Sequence, residues 1–227
     1  MNERIDKPLG LPFAAIGQPL RRHEDLRLLT GQGRFTDDFV IEGQAYAAMV
    51  RSPHPHARIV GIDAAAACAM PGVLGIFTGA DCRADGLKPI PHSPLPSTRT
   101  DLKLTAPGGG KVFVGPHHLL AIDKVRHVGE AVAIVVADSL AQALDAAEAV
   151  AVDYETLDWV ADAKAACAPG APAVWNEVAD NVLVDTTFGD VQGTDRAFAA
   201  ADHIVKMDFH VARVTAAALE PRAALGH

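Results

Sequence analysis

The chain has 227 residues, of which 49% are hydrophobic and 21% charged, so a packed core is within reach and disorder is not the default. Its formal net charge of −8 and the lack of any sustained basic cluster argue against a nucleic-acid footprint; Arg21-Arg22-His23 is broken at once by Glu24 and Asp25. No run approaches the ~18 consecutive apolar residues of a membrane span, and the charged start to Ile16 lacks the apolar stretch of a secretory signal.

In chain order, residues 1–16 read as a loose N-terminal arm, and Gly17 to Arg34 as an extended, turn-punctuated lead-in. Gln44 to Arg51 is a candidate strand, interrupted by Pro53 and Pro55 because proline cannot donate to a ladder. A strand over Ala57 to Ile62 follows. Asp63 can cap an Ala-rich helix through Met70, which Pro71-Gly72 ends, and Val73 to Thr78 forms the next strand. Residues 83–116, dense in proline and glycine, read as a long surface loop.

Val125 to Glu155 carries the sharpest pattern. Ala131 to Ala137 is a continuous apolar run suited to a strand buried on both faces. Ser139 with Gln142 three residues on predicts a capped helix whose apolar face is Leu140, Ala143, Leu144 and Ala147. A strand over Ala149 to Tyr154 closes this strand–helix–strand unit. Asp158 to Asn181 reads as a linker, and Thr194 to Ala201 as a helix with Gly193 just outside it. His203 to Val211 alternates, with Val205, Met207, Phe209 and Val211 on one face and Lys206, Asp208 and His210 on the other, the pattern of a half-buried strand. The apolar residues Ala216 to Leu219 and Ala223 to Leu225 then lead nowhere, so the expectation is a chain cut within a domain.

Candidate chemistry is sparse. Gly31-Gln32-Gly33 lacks the third glycine and preceding strand of a dinucleotide loop. Gly108-Gly109-Gly110-Lys111 lacks the hydroxyl residue and the early glycine of a P-loop, having Val112 and Thr105 there. His54 with His56, and His117 with His118, show no third metal ligand and read as hydrogen-bonded structural histidines. Cys68, Cys82 and Cys167 are widely spaced, so reduced cysteines in a cytoplasm are expected rather than a disulfide framework, zinc site or iron–sulfur site. The acidic pairs Asp37-Asp38 and Asp153 with Glu155 read as solvated. No catalytic, cofactor-binding or metal-ligating residue is assigned in this chain.

Several strings are more specific. Arg22-His23-Glu24-Asp25-Leu26-Arg27-Leu28-Leu29-Thr30-Gly31-Gln32-Gly33-Arg34-Phe35-Thr36-Asp37-Asp38 is one, and Val50-Arg51-Ser52-Pro53-His54-Pro55-His56-Ala57-Arg58-Ile59 is another. Ile62-Asp63, Pro71-Gly72-Val73, Val128-Gly129-Glu130-Ala131-Val132-Ala133, Val152-Asp153-Tyr154-Glu155, Gly189-Asp190 and Glu220-Pro221-Arg222 follow in order. Together they resemble the large, molybdopterin-binding subunit of the molybdenum hydroxylases, the xanthine dehydrogenase and aldehyde oxidase family, and within it the carbon monoxide dehydrogenase large-chain type.

The resemblance implies an α+β fold: an α/β hammerhead domain over residues 17–162, then a linker and the truncated start of a molybdopterin-binding domain over 163–227. It implies an oxidoreductase that hydroxylates a substrate carbon with water-derived oxygen. The cofactor would be a molybdenum ion on molybdopterin, in the cytosine dinucleotide form, and the partners iron–sulfur and FAD-binding subunits or domains. The family's cofactor loops and its glutamate base have no counterpart here, so the chain alone is expected to be inactive. Ala131 follows Glu130 where the family has proline, and Glu220 is given a structural part. For Arg51, Ser52 and His56 the expectation is a hydrogen-bonded strand junction. Two other readings stand beside this one: a non-catalytic docking subunit of a split molybdenum hydroxylase, and a small metal-binding protein using its histidines.

Overall fold

The computed structural model describes residues 22–92, 95, 102–212, 214 and 222–226. The proposed arm over residues 1–16, the Ala216 to Leu219 run and Glu220 lie outside the described residues. The chain forms two compact units, one of Gly43–Asp208 and one of Met1–Glu42 with Phe209–His227.

In the second of these, the lead-in expected to be extended instead contains a helix, α1 (Asp25–Leu29). Asp25 accepts from the Arg22 amide, and Arg27 reaches back to Glu24, so the charged residues themselves close the turn. Five residues are too few to show a readable helical period. A single 3-10 turn follows at Thr36–Asp38, where the Asp38 carboxylate accepts the Phe35 amide at 2.9 Å.

The unit Gly43–Asp208 contains β1 (Tyr46–Arg51), β2 (Ala57–Asp63), α2 (Ala65–Cys68), β3 (Val73–Thr78) and α3 (Gly79–Ala84). It continues with β4 (Lys124–Val125), β5 (Ala131–Ala137), α4 (Leu140–Glu148), β6 (Ala151–Thr156), α5 (Ala163–Ala166) and α6 (Val191–Ala199). Two antiparallel sheets of three strands result, ordered β1-β5-β3 and β4-β2-β6. This is the α+β mixture expected.

β5, the middle strand of its sheet, is buried on one face at Ala133, Val135 and Ala137 and on the other at Val132, with Ile134 and Val136 half-buried. Val135 packs with Ala67, Ala146 and Val150 beneath α2 and α4, while Val132, of opposite parity, packs with Ala57 of β2, Val125 of β4 and Ala121 just before β4. Ser139 caps α4 by accepting the Gln142 amide, as expected. The buried face of α4 differs from expectation. Ala143 and Ala146 are buried, whereas Leu140 and Leu144 are about half exposed, at 49% and 52%. Alanines let the helix approach β1 and β5 closely, and the bulkier leucines are displaced to its flank.

Other boundaries shift for local reasons. Asp63 does accept the Ala65 amide at 2.9 Å, but Ala64 holds the cap position and α2 ends at Cys68. The stretch expected to be a loop from residue 83 overlaps α3, which starts at a reciprocal box between Thr78 and Asp81. The strand expected from Ala149 begins at Ala151, because Ala149 and Val150 still bond back to Ala146 and Ala147. The expected linker after Asp158 contains α5, capped by Asp162, and is tied by Asn181, which donates to the Ala166 and Pro172 carbonyls. Gly193 lies inside α6, not outside it, and its amide is held by the Asp190 carboxylate at 2.8 Å.

The half-buried strand expected at His203 to Val211 is not formed. Among the described residues this segment pairs with no strand, and Val205, Met207, Phe209 and Val211 are 69–87% exposed. A strand is defined by its partner, and alternation alone supplies none. Among the described residues no helix is long and apolar enough to cross a membrane.

Candidate functional site

The polar centre of the larger unit is the crossing from β1 to β2. Ser52 and His56 are its buried polar residues, at 2% and 7% exposure. The two prolines keep Ser52 to His56 out of either ladder, so its polar groups find other partners. The Ser52 amide donates to the Glu130 carbonyl at 2.9 Å, and its carbonyl accepts from Gly129 at 2.7 Å. Its hydroxyl accepts the His54 amide at 3.0 Å and lies 3.2 Å from the His54 carbonyl. Arg51 donates to the Gly129 carbonyl at 2.8 Å. The arrangement locks the end of β1 to the start of β5.

His56 fastens the other side. Its Nδ1 lies 2.8 Å from the Asp158 carbonyl, and its own carbonyl accepts the Leu157 amide, which extends the β2–β6 pairing past Thr156. Its Nε2 is buried and unpartnered. The His54 ring stands edge-on to Tyr154, with centroids 4.9 Å apart at 68°. Burial pushes the Tyr154 phenol above its ordinary value of 10.0, and the nearby Ser52 hydroxyl offsets part of this, although the phenol oxygen closes no hydrogen bond. His54 and His56 therefore do not converge on one point. The geometry is a hydrogen-bonded brace, with no nucleophile–base pair.

The other sequence candidates are dispersed. Gly31 has φ +70 and follows α1, where the Gly31 and Gln32 amides bond to Leu28 and Arg27, so Gly31-Gln32-Gly33 terminates a helix. In the triple glycine, the Ala106 and Gly109 amides are spent on carbonyls of their own turn, leaving them unavailable to an anion. His117 stacks edge-on against His92. His118 lines a cavity of about 110 Å³ with Cys82, Arg83 and Lys88. Asp153 sits in the β2–β6 ladder, and Glu155 pairs with Arg58 at 2.8 Å on the surface. The three thiols are unpaired. Sequence reasoning missed the Arg126 guanidinium stacked 3.8 Å above the Trp175 ring, with Phe113 tilted against the same ring. No local motif signals a pairing of residues so far apart.

Among the described residues no three or more His, Cys, Asp or Glu side chains are grouped to hold a metal.

Two antiparallel three-stranded sheets, between which the chain alternates strand by strand, flanked by short helices, define an α/β hammerhead. The profile described as "Aldehyde oxidase and xanthine dehydrogenase, a/b hammerhead domain" matches residues 30–158, and the chain belongs to that family. It is 40% identical to the nicotine 6-hydroxylase large subunit of Paenarthrobacter nicotinovorans, over 92% of this chain and 24% of that one. It is 34% identical to the carbon monoxide dehydrogenase large chain of Afipia carboxidovorans, over 96% of this chain and 26% of that one. The crystal structure of quinoline 2-oxidoreductase from Pseudomonas putida 86 superposes with a TM-score of 0.59 at 40% identity, covering 72% of this chain and 19% of that one. The chain thus spans about a quarter of the length of the relatives it matches.

Proposed function

We propose that this chain is the hammerhead-bearing portion of a molybdenum hydroxylase large subunit. The observation that carries the reading is the 40% identity to a hydroxylase large subunit, sustained over 92% of the chain but over only 24% of that relative. The whole enzyme would be an oxidoreductase that hydroxylates a substrate carbon with water-derived oxygen. Its molybdopterin, in the cytosine dinucleotide form, would be held by polypeptide other than the residues here. Iron–sulfur and FAD-binding subunits or domains would carry the electrons, in the cytoplasm. Residues 17–162 would be the hammerhead domain, residues 1–16 an arm, and residues 163–227 the linker and opening of the molybdopterin-binding domain.

The brace supports a structural role for this chain: the Arg51 guanidinium, the Ser52 hydroxyl and the His56 Nδ1 are all engaged with backbone groups. The test is to read the coding sequence past His227 and in the adjoining genes, then to measure molybdenum and pterin in the chain alone and in the assembled protein. The expected result is cofactor in the assembly only. Stoichiometric cofactor in the 227-residue chain alone would overturn the reading. A stop codon followed by a separate gene for the remainder would favour the split-subunit alternative.

A further inference from the structure

We infer that His92 and His117 form a two-imidazole site for a divalent transition ion of the zinc and nickel class, with water in the ion's remaining positions. The inference does not rest on the family reading and needs only the residues of this chain.

Three observations carry it. The two rings meet although they are distant in sequence, with centroids 5.8 Å apart and planes at 88°. The backbone holds their segments together, because the Ile90 amide donates to the His117 carbonyl at 2.8 Å. The His92 Nδ1 lies 3.2 Å from the Ile90 carbonyl, which can only accept, so Nδ1 carries the proton and Nε2 keeps a free lone pair. Metal-ligating histidines are ordinarily fixed in this way, one ring nitrogen donating to a carbonyl and the other turned to the ion. An ion held at ~2.0–2.1 Å by one nitrogen of each ring lies roughly 3.2 Å from each ring centre, so centres up to roughly 6.4 Å apart can share it. The observed 5.8 Å falls inside that span, and closing to the roughly 5.2 Å of a tetrahedral angle takes a small turn of one exposed ring. Imidazole nitrogen suits Zn²⁺ and Ni²⁺, whereas Mg²⁺ and Ca²⁺ take oxygen. Both residues are exposed, which leaves the ion's other positions open to water.

The test is a titration of Zn²⁺ into the 227-residue chain at neutral pH, with the histidine ring nitrogens labelled and followed by NMR. The Nε2 resonance of His92 and one ring nitrogen of His117 should move together with a single midpoint, while Nδ1 of His92 keeps its proton. His92→Gln and His117→Gln, both at exposed positions, should each weaken binding at the surviving ring by at least ~10-fold. His118→Ala, which alters the neighbouring cavity instead, should preserve the titration. Mg²⁺ should move neither ring. Separate midpoints for the two rings would overturn the inference, as would a His92 titration that survives the loss of His117. Rings that stay still while other histidines respond, or that respond equally to Mg²⁺, would overturn it too. All of these outcomes would leave the large-subunit reading standing.

Discussion

Replacing Gly79 by alanine separates packing from helix propensity. Gly79 is the first residue of α3, and alanine within a helix is ordinarily favoured over glycine by about 0.5–1 kcal/mol. Here the sign should reverse. A Cβ at Gly79 would lie 2.4 Å from the Ala121 carbonyl oxygen, 2.9 Å from its carbon and 3.0 Å from the Ile122 Cα. These are backbone atoms, and Ala121 is itself anchored by its amide to the Ala131 carbonyl at 2.8 Å, so the segment cannot yield without disturbing β5. Overpacking of this kind costs about 1–3 kcal/mol. For a protein of this size that lowers the melting temperature by roughly 2–12 °C. Urea unfolding and calorimetry measure it directly, with Gly61→Ala as the control. A Cβ at Gly61 meets nothing within 4 Å, so that variant should be neutral or slightly more stable. A Gly79→Ala protein as stable as the parent would refute the argument that the close approach of residues 121–122 dictates glycine.

Four other outcomes are expected. Ser52→Ala removes the buried hydroxyl that accepts the half-buried His54 amide and should cost about 1–3 kcal/mol in urea unfolding; a loss below ~0.5 kcal/mol would show that the brace is dispensable. Thr78→Ala removes the α3 cap and should cost about 1 kcal/mol, again by urea. Thr78 hydrogen bonds hold the Asp81 carboxyl below its ordinary 3.8, so its stabilisation is present above that value and lost as pH falls through the lower folded value; in Asp81→Asn the stability profile below pH 4 should be flatter than in the parent. Tyr154 has the opposite sense: burial raises its phenol above 10.0, so the stabilisation is complete below that pH and declines as pH rises through the higher folded value. Tyr154→Phe should therefore lose less stability than the parent between neutral pH and the alkaline limb.

Much of the fold was legible where local pattern and tertiary environment agree. Ala131 to Ala137 could hardly be anything but an inner strand, and Ser139 with Gln142 marked the start of α4. The face of α4 was not legible, because counting apolar residues favours Leu140 and Leu144 while close packing against β1 and β5 favours alanine. Helix α3 had a usable signal in Thr78 and Asp81 that was passed over for the proline-rich loop beyond it. The brace was anticipated through the Arg51 to His56 string. Its partners, the carbonyls of Gly129, Glu130 and Asp158, lie far along the chain, and no local pattern points to a carbonyl. The alternation at 203–211 was read correctly as a pattern and wrongly as a strand within this chain, because a period of two reports which face is apolar and not what lies against it.

The strand orders carry a consequence for biosynthesis. β1, β2 and β3 lie within residues 46–78, yet none pairs with another; every ladder joins one of them to β4, β5 or β6. Arg51, at the end of β1, waits for Ala131, 80 positions later, and at typical synthesis rates of ~5–20 residues per second that delay is roughly 4–16 s. Between the synthesis of Thr78 and that of Lys124, the first residue of β4, a nascent chain carries three strands whose native partners do not yet exist, so their unpaired edges are open to aggregation in that window.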